Sequence, residues 1–182
     1  MDTEIGRLLQ VIPPDTLVIF MGDNGTSAKV TEPPFKKMHA KGTLYEGGVN
    51  VPLIIAGAGT VQGECHALVS STDIYATLGD LALVSSSAED SVSLVPYLAG
   101  SAKPRRSTVF AEFFTPNGSG PWTTHTRAVR DEHFKLIRST GVADEFYDLT
   151  NDPFEQADLY PSIGPGSPLW PHYHRLVAEL VK

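Results

Sequence analysis

The sequence predicts an α/β fold over residues 1–104, with helices flanking the sheet, and a small antiparallel sheet with a terminal helix over residues 105–182. Three observations carry this reading. Two apolar runs of strand length, Leu17-Val18-Ile19-Phe20-Met21 and Val51-Pro52-Leu53-Ile54-Ile55-Ala56, show no alternation. That suits strands covered on both faces, as in a parallel sheet. Apolar residues at helical spacing precede the first run and follow the second. Beyond residue 104 the chain changes to short runs that mix charged and apolar residues between turn residues, as in an antiparallel sheet with one wet face.

Ile5, Leu8, Leu9 and Ile12 share a helical face, and Pro13-Pro14-Asp15 ends that helix. The first strand runs into Gly22-Asp23-Asn24-Gly25. Residues 26–41 are polar, contain Pro33-Pro34 and show no period, so they read as a long loop of the kind that is usually functional or mobile. Pro52 stands near the start of the second strand, where a missing N–H does least harm. Residues 69–73 read as a short strand entering a helix capped by Ser71 or Thr72, with Asp73 suited to the first turn. Ile74, Leu78, Leu81 and Ala82 fall on one face of that helix. Residues 85–90 form a low-complexity loop, and Val92 to Leu98 a short apolar element. The runs at 108–112, 126–130, 134–138 and 145–149 make the antiparallel sheet, and Leu176, Val177 and Leu180 mark the terminal helix.

Composition narrows the function. The chain of 182 residues carries 14 Lys and Arg against 21 Asp and Glu, a net charge of -7. Nucleic acid is therefore not the expected partner, since phosphate binding needs a basic surface. Cys65 is the single cysteine, so neither an internal disulfide nor a cysteine metal cluster can form. The acidic N-terminus lacks the apolar stretch of a signal peptide. The apolar runs fall far short of the ~20 residues that cross a bilayer, so no membrane is expected as a partner. Taken as given, the sequence is expected to remain in the cytoplasm, an inference that a missing upstream segment would remove.

Two short segments could carry chemistry. Asp23 and Asn24, at the carboxyl end of an apolar strand, offer a carboxylate and an amide oxygen to Ca2+ or Mg2+. The plain alternative is a turn, because Asp-Asn-Gly is a common turn sequence. The second segment is Lys41-Gly42-Thr43-Leu44-Tyr45-Glu46-Gly47-Gly48-Val49-Asn50-Val51-Pro52. Lys41 could set a point charge on an anionic substrate, against a solvated lysine beside a tight turn. His39 could act as an acid or an anion contact, against an exposed, uninvolved histidine.

Together these segments resemble the sulfatase family of the alkaline phosphatase superfamily. Val18 to Gly25 resembles the family's strand followed by S-D-N-G, and Lys41 to Pro52 its K-G-x-x-x-E-G-G-x-R-V-P block. Residues 71–82 resemble its D-h-x-P-T-L-x-D-L-A helix. Arg127-Ala128-Val129-Arg130, the run to Ile137, and Glu145 to Gln156 resemble its C-terminal ending. The blocks are collinear and cover most of the chain. The resemblance implies a sulfatase-type sheet and hydrolysis of a sulfate ester, borne by a small molecule or a sulfated glycan, to an alcohol or phenol and sulfate. It gives Asp23 and Asn24 the place of ligands to Ca2+ (or Mg2+), and Lys41, with His39, the place of a substrate contact. Intact relatives are often periplasmic, secreted or lysosomal.

The departures are as informative. The family nucleophile is a formylglycine made in a C-x-P-S-R motif, which this chain lacks. Cys65 follows the metal block rather than preceding it, so no catalytic residue is assigned. The family's upstream acidic ligands, lysine and histidines are also absent. Gly22 stands where Ser is common, and Asn50 where Arg is common and a planar cation braces the site. The chain therefore reads as the C-terminal part of a sulfatase, from a truncated gene, a fragment or a decayed copy, inactive alone. A phosphonate or phosphate ester hydrolase of the same superfamily and a non-catalytic metal-binding module are the alternatives. An open apolar edge on the Leu17–Met21 strand predicts self-association. Residues 26–39 and 113–125 are expected to face substrate; Trp122 and His125 could line its mouth or simply pack on the surface.

Overall fold

The computed structural model describes residues 1–85, 87 and 89–181. The polar segment 85–90 therefore lies partly outside the described residues. The first part runs α1 (Asp2–Leu9), β1 (Leu17–Met21), a 3-10 turn (Lys37–His39), the one-turn helix α2 (Glu46–Val49), β2 (Leu53–Gly57), α3 (Asp73–Leu81) and α4 (Val95–Leu98). The second runs β3 (Val109–Thr115), β4 (Thr124–Arg130), β5 (Phe134–Ser139), β6 (Glu145–Asp148), a second 3-10 turn (Tyr160–Ser162) and α5 (Trp170–Leu180). Among the described residues no helix is long and apolar enough to cross a membrane.

The expected C-terminal sheet forms, with order β3-β4-β5-β6 and every neighbour antiparallel. Val129, Leu136 and Phe146 are register partners across three strands. They make one face, which packs on Tyr173, Leu176 and Leu180 of α5. The other face was expected to be wet, but it is covered. Ala128, Ile137 and Tyr147 bury there against Leu44, with Tyr45 beside them. The reason is the loop before α2, which folds back over the sheet and brings its own apolar and charged residues.

The apolar run Leu17–Met21 does form a strand, but its described partner is antiparallel. β1 pairs with β2 in the register Leu17↔Gly57 to Met21↔Leu53. The suggestion of a parallel neighbour fails here because continuous hydrophobicity reports apolar character and not strand direction. Both strands are partly open, and Phe20 and Ile54 are exposed.

Helix α3 also differs from expectation. Its inner face is Asp73, Ala76 and Thr77, whereas Leu78 and Leu81 are exposed. Polar anchors decide this. Asp73 accepts the Ser70 N–H at 2.7 Å and the Val92 N–H at 2.9 Å, and pairs with Arg106. Thr77 accepts the Leu94 N–H at 2.9 Å and donates to the Asp73 carbonyl at 2.6 Å. These bonds tie the segments on either side of the helix to it, which leaves the leucine face outward. Thr72 sits at the N-cap without a side-chain cap bond, and residues 69–72 are turn and irregular backbone rather than a strand.

Candidate functional site

The turn after β1 is built on glycine contacts. Gly25 donates its N–H to the Gly48 carbonyl at 2.9 Å. A Cβ on Gly25 would lie 1.9 Å from the Gly47 carbonyl oxygen, and one on Gly47 would lie 2.5 Å from the His39 carbonyl oxygen. Both are far inside van der Waals contact, so only glycine permits the approach. The Lys41 N–H reaches the Thr26 carbonyl at 2.9 Å. The Asp23-Asn24 turn, the His39–Lys41 segment and α2 are thereby stitched together through backbone. At Gly22, a Cβ would meet Val51 Cβ at 3.0 Å. A serine there would need the Val51-Pro52 segment before β2 to shift slightly.

The side chains on this frame differ in access. Asp23 and Lys41 are exposed and Asn24 is half-buried. The Asn24 amide N–H donates to Asp23 Oδ1 at 3.0 Å and to the Gly25 carbonyl at 3.4 Å, bonds that do not use the Asn24 amide oxygen or Asp23 Oδ2. Among the described residues no group of three or more His, Cys, Asp or Glu side chains gathers as a metal centre. His39 is buried, contrary to an exposed histidine, and its ring stacks on Tyr45 with centroids 3.6 Å apart and planes 4° apart. Burial first, and the nearby Lys36 charge second, push its pKa below the usual imidazole value. Its Nδ1 has no hydrogen-bond partner among the described residues. The Tyr45 hydroxyl in turn donates to Glu145, 2.7 Å and 2.8 Å from its two oxygens, and Tyr147 donates to the same carboxylate at 2.5 Å.

The buried ionic network beneath this frame was not legible beforehand. Glu46 Oε1 lies 2.9 Å from Lys135 Nζ, and Glu46 Oε2 lies 2.7 Å from Arg130 Nη1. Lys135 Nζ is also 2.9 Å from Glu155 Oε1, and Glu155 Oε2 accepts the Glu46 N–H at 2.6 Å. Lys36 Nζ caps the Glu155 and Gln156 carbonyls at 3.1 and 2.9 Å. Burial raises the Glu155 pKa, and Lys135 opposes that. Asn50, which stands where an arginine was expected to brace the site, donates to Glu46 Oε2 at 3.0 Å. Arg130 places its guanidinium on that same oxygen, so the planar cation comes from β4 instead. Every member lies in a segment the sequence had singled out. The pairings span 84 residues for Arg130–Glu46 and 109 for Glu46–Glu155, too far for any local pattern to reveal.

Trp122 and His125 meet in the β3–β4 hairpin. His125 stacks on Phe114 at 4.4 Å, Trp122 packs on Phe114 at 4.6 Å, and the indole N–H donates to the Gly118 carbonyl at 2.7 Å. An open groove of about 1020 Å³ includes Cys65, His66, Arg105 and Arg175 in its lining but none of Asp23, Asn24, His39 or Lys41. Cys65 is an exposed free thiol.

A family model described as N-sulphoglucosamine sulphohydrolase, C-terminal, matches residues 36–166, well over half the chain. The chain belongs to the sulfatase family. Arylsulfatase K of Gallus gallus is 34% identical over 156 residues, covering 79% of this chain and 28% of that protein. Choline-sulfatase of Rhizobium meliloti is 29% identical over 168 residues, covering 87% and 31%. Among solved structures, a 2-O GAG sulfatase superimposes with a TM-score of 0.72 at 27% identity, over 97% of this chain and 37% of that one. The phosphonate monoester hydrolase of Agrobacterium radiobacter does so with a TM-score of 0.72 at 25% identity, over 99% and 38%. This sulfatase chain spans less than a third of the length of the two curated relatives. Within the family stretch 36–166 fall His39, Lys41 and the Glu46 network; Asp23 and Asn24 lie just before it.

Proposed function

We propose that this chain forms the C-terminal portion of a sulfuric ester hydrolase acting on a small sulfate ester or a sulfated glycan. In this reading residues 1–104 belong to the catalytic α/β domain and 105–182 to a C-terminal subdomain. The observation that carries it is the backbone stitch of Gly25 to Gly48 and of Thr26 to Lys41. It sets the Asp23-Asn24 turn and the Lys41 segment on one frame, where the resemblance puts a metal ligand pair and a sulfate contact. Lys41, exposed and cationic, binds the sulfuryl oxygens as a point charge.

The donor chemistry of Asp23 and Asn24 is right for Ca2+ or Mg2+, but the number is short. Ca2+ takes about six to eight oxygens, and two side chains here face it. The residues present do not by themselves hold the ion. The formylglycine sequence is also absent, and without a nucleophile covalent catalysis is lost. The expected result for the purified chain with Ca2+ is no turnover of a chromogenic aryl sulfate. Turnover that Lys41→Ala abolishes would overturn this.

The likeness to a phosphonate monoester hydrolase supports a second reading, hydrolysis of a phosphonate or phosphate ester. The same turn serves both chemistries, because each stabilises a transferring anionic group. Comparing aryl sulfate with aryl phosphate turnover, in a protein that joins this chain to an upstream sulfatase portion, separates the two.

A further inference from the structure

Alternate residues of β4 point to opposite sides of the C-terminal sheet. Val129 packs under α5, and Ala128 packs under Leu44. His125 and Arg127 share the Val129 side, and so do their register partners Phe114 and Glu112. In keeping with this, Arg127 Nη1 donates to the Leu180 carbonyl of α5 at 3.0 Å. Phe114 and His125 lie one pair further along the strands, past the last residue of that helix. Trp122 packs on both rings. This aromatic group is therefore turned away from the loop that carries Leu44 and Tyr45.

The indole is held in one orientation. Its N–H is taken by the Gly118 carbonyl, and its ring lies 4.6 Å from Phe114 and 5.7 Å from His125. Trp122 is nevertheless 47% exposed. A ring fixed in advance loses little entropy when it is covered. Polar groups border it. His125 Nε2 lies 3.0 Å from Glu112 Oε1. A hollow of about 420 Å³ beside Phe114 is lined by Glu112, Phe113, Phe114, Thr115 and Asn117, within the roughly 300–1,000 Å³ of small-molecule sites. Neither Glu112 Oε2 nor the Asn117 amide has a hydrogen bond among the described residues.

This chemistry fits a pyranose, which carries C–H bonds on its ring faces and hydroxyls around its rim. A protein partner fits less well. A stable interface buries about 800 Å² per side. An aromatic side chain offers about 150–250 Å² when wholly buried, and the three here are already partly covered. Charge narrows the choice further. A sulfate on the stacked ring would come close to the Glu112 carboxylate and be repelled.

We propose that Trp122 and Phe114, with Glu112 and Asn117 at the rim, form a carbohydrate-binding platform for an unsulfated pyranose ring of an oligosaccharide. The ring stacks on the indole, and its hydroxyls bond with the Glu112 carboxylate and the Asn117 amide. The platform holds a glycan chain on the side of the sheet away from Leu44 and Tyr45. It rests on the sulfated-glycan reading above for the role of the bound chain, whereas binding itself is measured without turnover.

The full chain is titrated with cellohexaose, mannohexaose and desulfated carrageenan hexasaccharide, each also prepared with O-sulfate groups. The two indole N–H signals, of Trp122 and Trp170, are followed by NMR. The expected result is a saturable shift of the Trp122 signal, at roughly millimolar sugar, with at least one unsulfated hexasaccharide. Its sulfated form should bind at least about threefold more weakly at low salt, and Glu112→Gln should narrow that gap. Trp122→Ala should weaken binding about tenfold or more, read from the sugar protons by saturation transfer. Trp122→Phe keeps a ring on Phe114 and should retain part of the affinity, which separates lost stacking from a collapsed hairpin. Failure of every unsulfated hexasaccharide to bind overturns the proposal. So does binding that Trp122→Ala leaves unchanged, or tighter binding of the sulfated form. Sugar binding by a chain that hydrolyses no aryl sulfate, even when joined to an upstream sulfatase portion, leaves the platform standing and counts against the catalytic reading alone.

Discussion

Lys135 Nζ sits 2.9 Å from Glu46 Oε1. That contact joins the second face of the C-terminal sheet to the glycine-rich turn that carries the candidate site. Both side chains are nearly removed from solvent, at 2% and 5% exposure, so neither charge is tolerable alone. The turn is held where it is by electrostatics as much as by apolar packing.

Removing the lysine should therefore be costly. Lys135→Ala leaves Glu46 and Glu155 buried without their shared cation. The expected loss is about 3–5 kcal/mol, the range for breaking a buried pair from one side. Urea denaturation of both proteins at one pH gives the value. A loss under about 1 kcal/mol would mean that the network is solvated.

Acid should weaken the packing of α5 on the sheet. Burial alone would raise the Asp144 pKa. Hydrogen bonds from Arg138 (2.8 Å to Oδ1, 2.5 Å to Oδ2) and Tyr173 (2.7 Å) outweigh it and hold the carboxyl below its ordinary range. A depressed folded pKa adds stability above the unfolded value and loses it as pH falls through the folded value. Stability should thus drop below about pH 4, near the unfolded carboxyl pKa. Asp144→Asn should flatten that drop. Glu155, with its raised pKa, acts in the opposite sense and is stabilised in its protonated form. Denaturation midpoints at several acid pH values decide the sign.

The close approach at Gly25 makes a sharp contrast with Gly6. Gly25→Ala forces Cβ toward the Gly47 carbonyl, and should cost about 1–3 kcal/mol and displace the Asp23-Asn24 turn. Gly6 lies inside α1 with nothing within 4 Å of a built Cβ. Gly6→Ala should stabilise by about 0.5–1 kcal/mol, the usual helix-interior effect. Melting curves of the two variants should move in opposite directions.

Leucines should sort by burial rather than by their helical pattern. Leu176 is fully buried against the sheet, and Leu176→Ala should lose about 2–5 kcal/mol. Leu78 is half exposed on α3, and Leu78→Ala should lose less than about 1 kcal/mol in the isolated chain. Equal losses would show that α3 presents its leucine face inward.

The elements were largely readable because each depends on neighbours in sequence. Proline stops, apolar runs and 3.6-residue spacing placed α1, β1, β2, α3, β3 to β6 and α5 close to where they form. The candidate site was readable as a set of blocks for the same reason. Asp23, Asn24 and Lys41 stand out by local residue type and spacing. What local pattern could not show was orientation. The leucine stripe of α3 looked like its inner face, yet Asp73 and Thr77 claim that face through bonds to residues 70, 92 and 94. The wet side of the sheet looked free, yet residues 36–46 cover it.

By itself, the sequence determined the element order, the glycine-dependent turns, the absence of the C-x-P-S-R nucleophile motif and membership of the sulfatase family. Those properties are written in residue type and short spacing. The tertiary structure alone decided that β1 and β2 run antiparallel, that His39 is buried on Tyr45, and that Arg130 rather than residue 50 supplies the guanidinium on Glu46. The strand pairing and the Arg130–Glu46 contact join residues far apart in the chain, and all three are chosen by which partner best satisfies a buried charge, ring or strand edge. That choice exists only once the whole chain has folded.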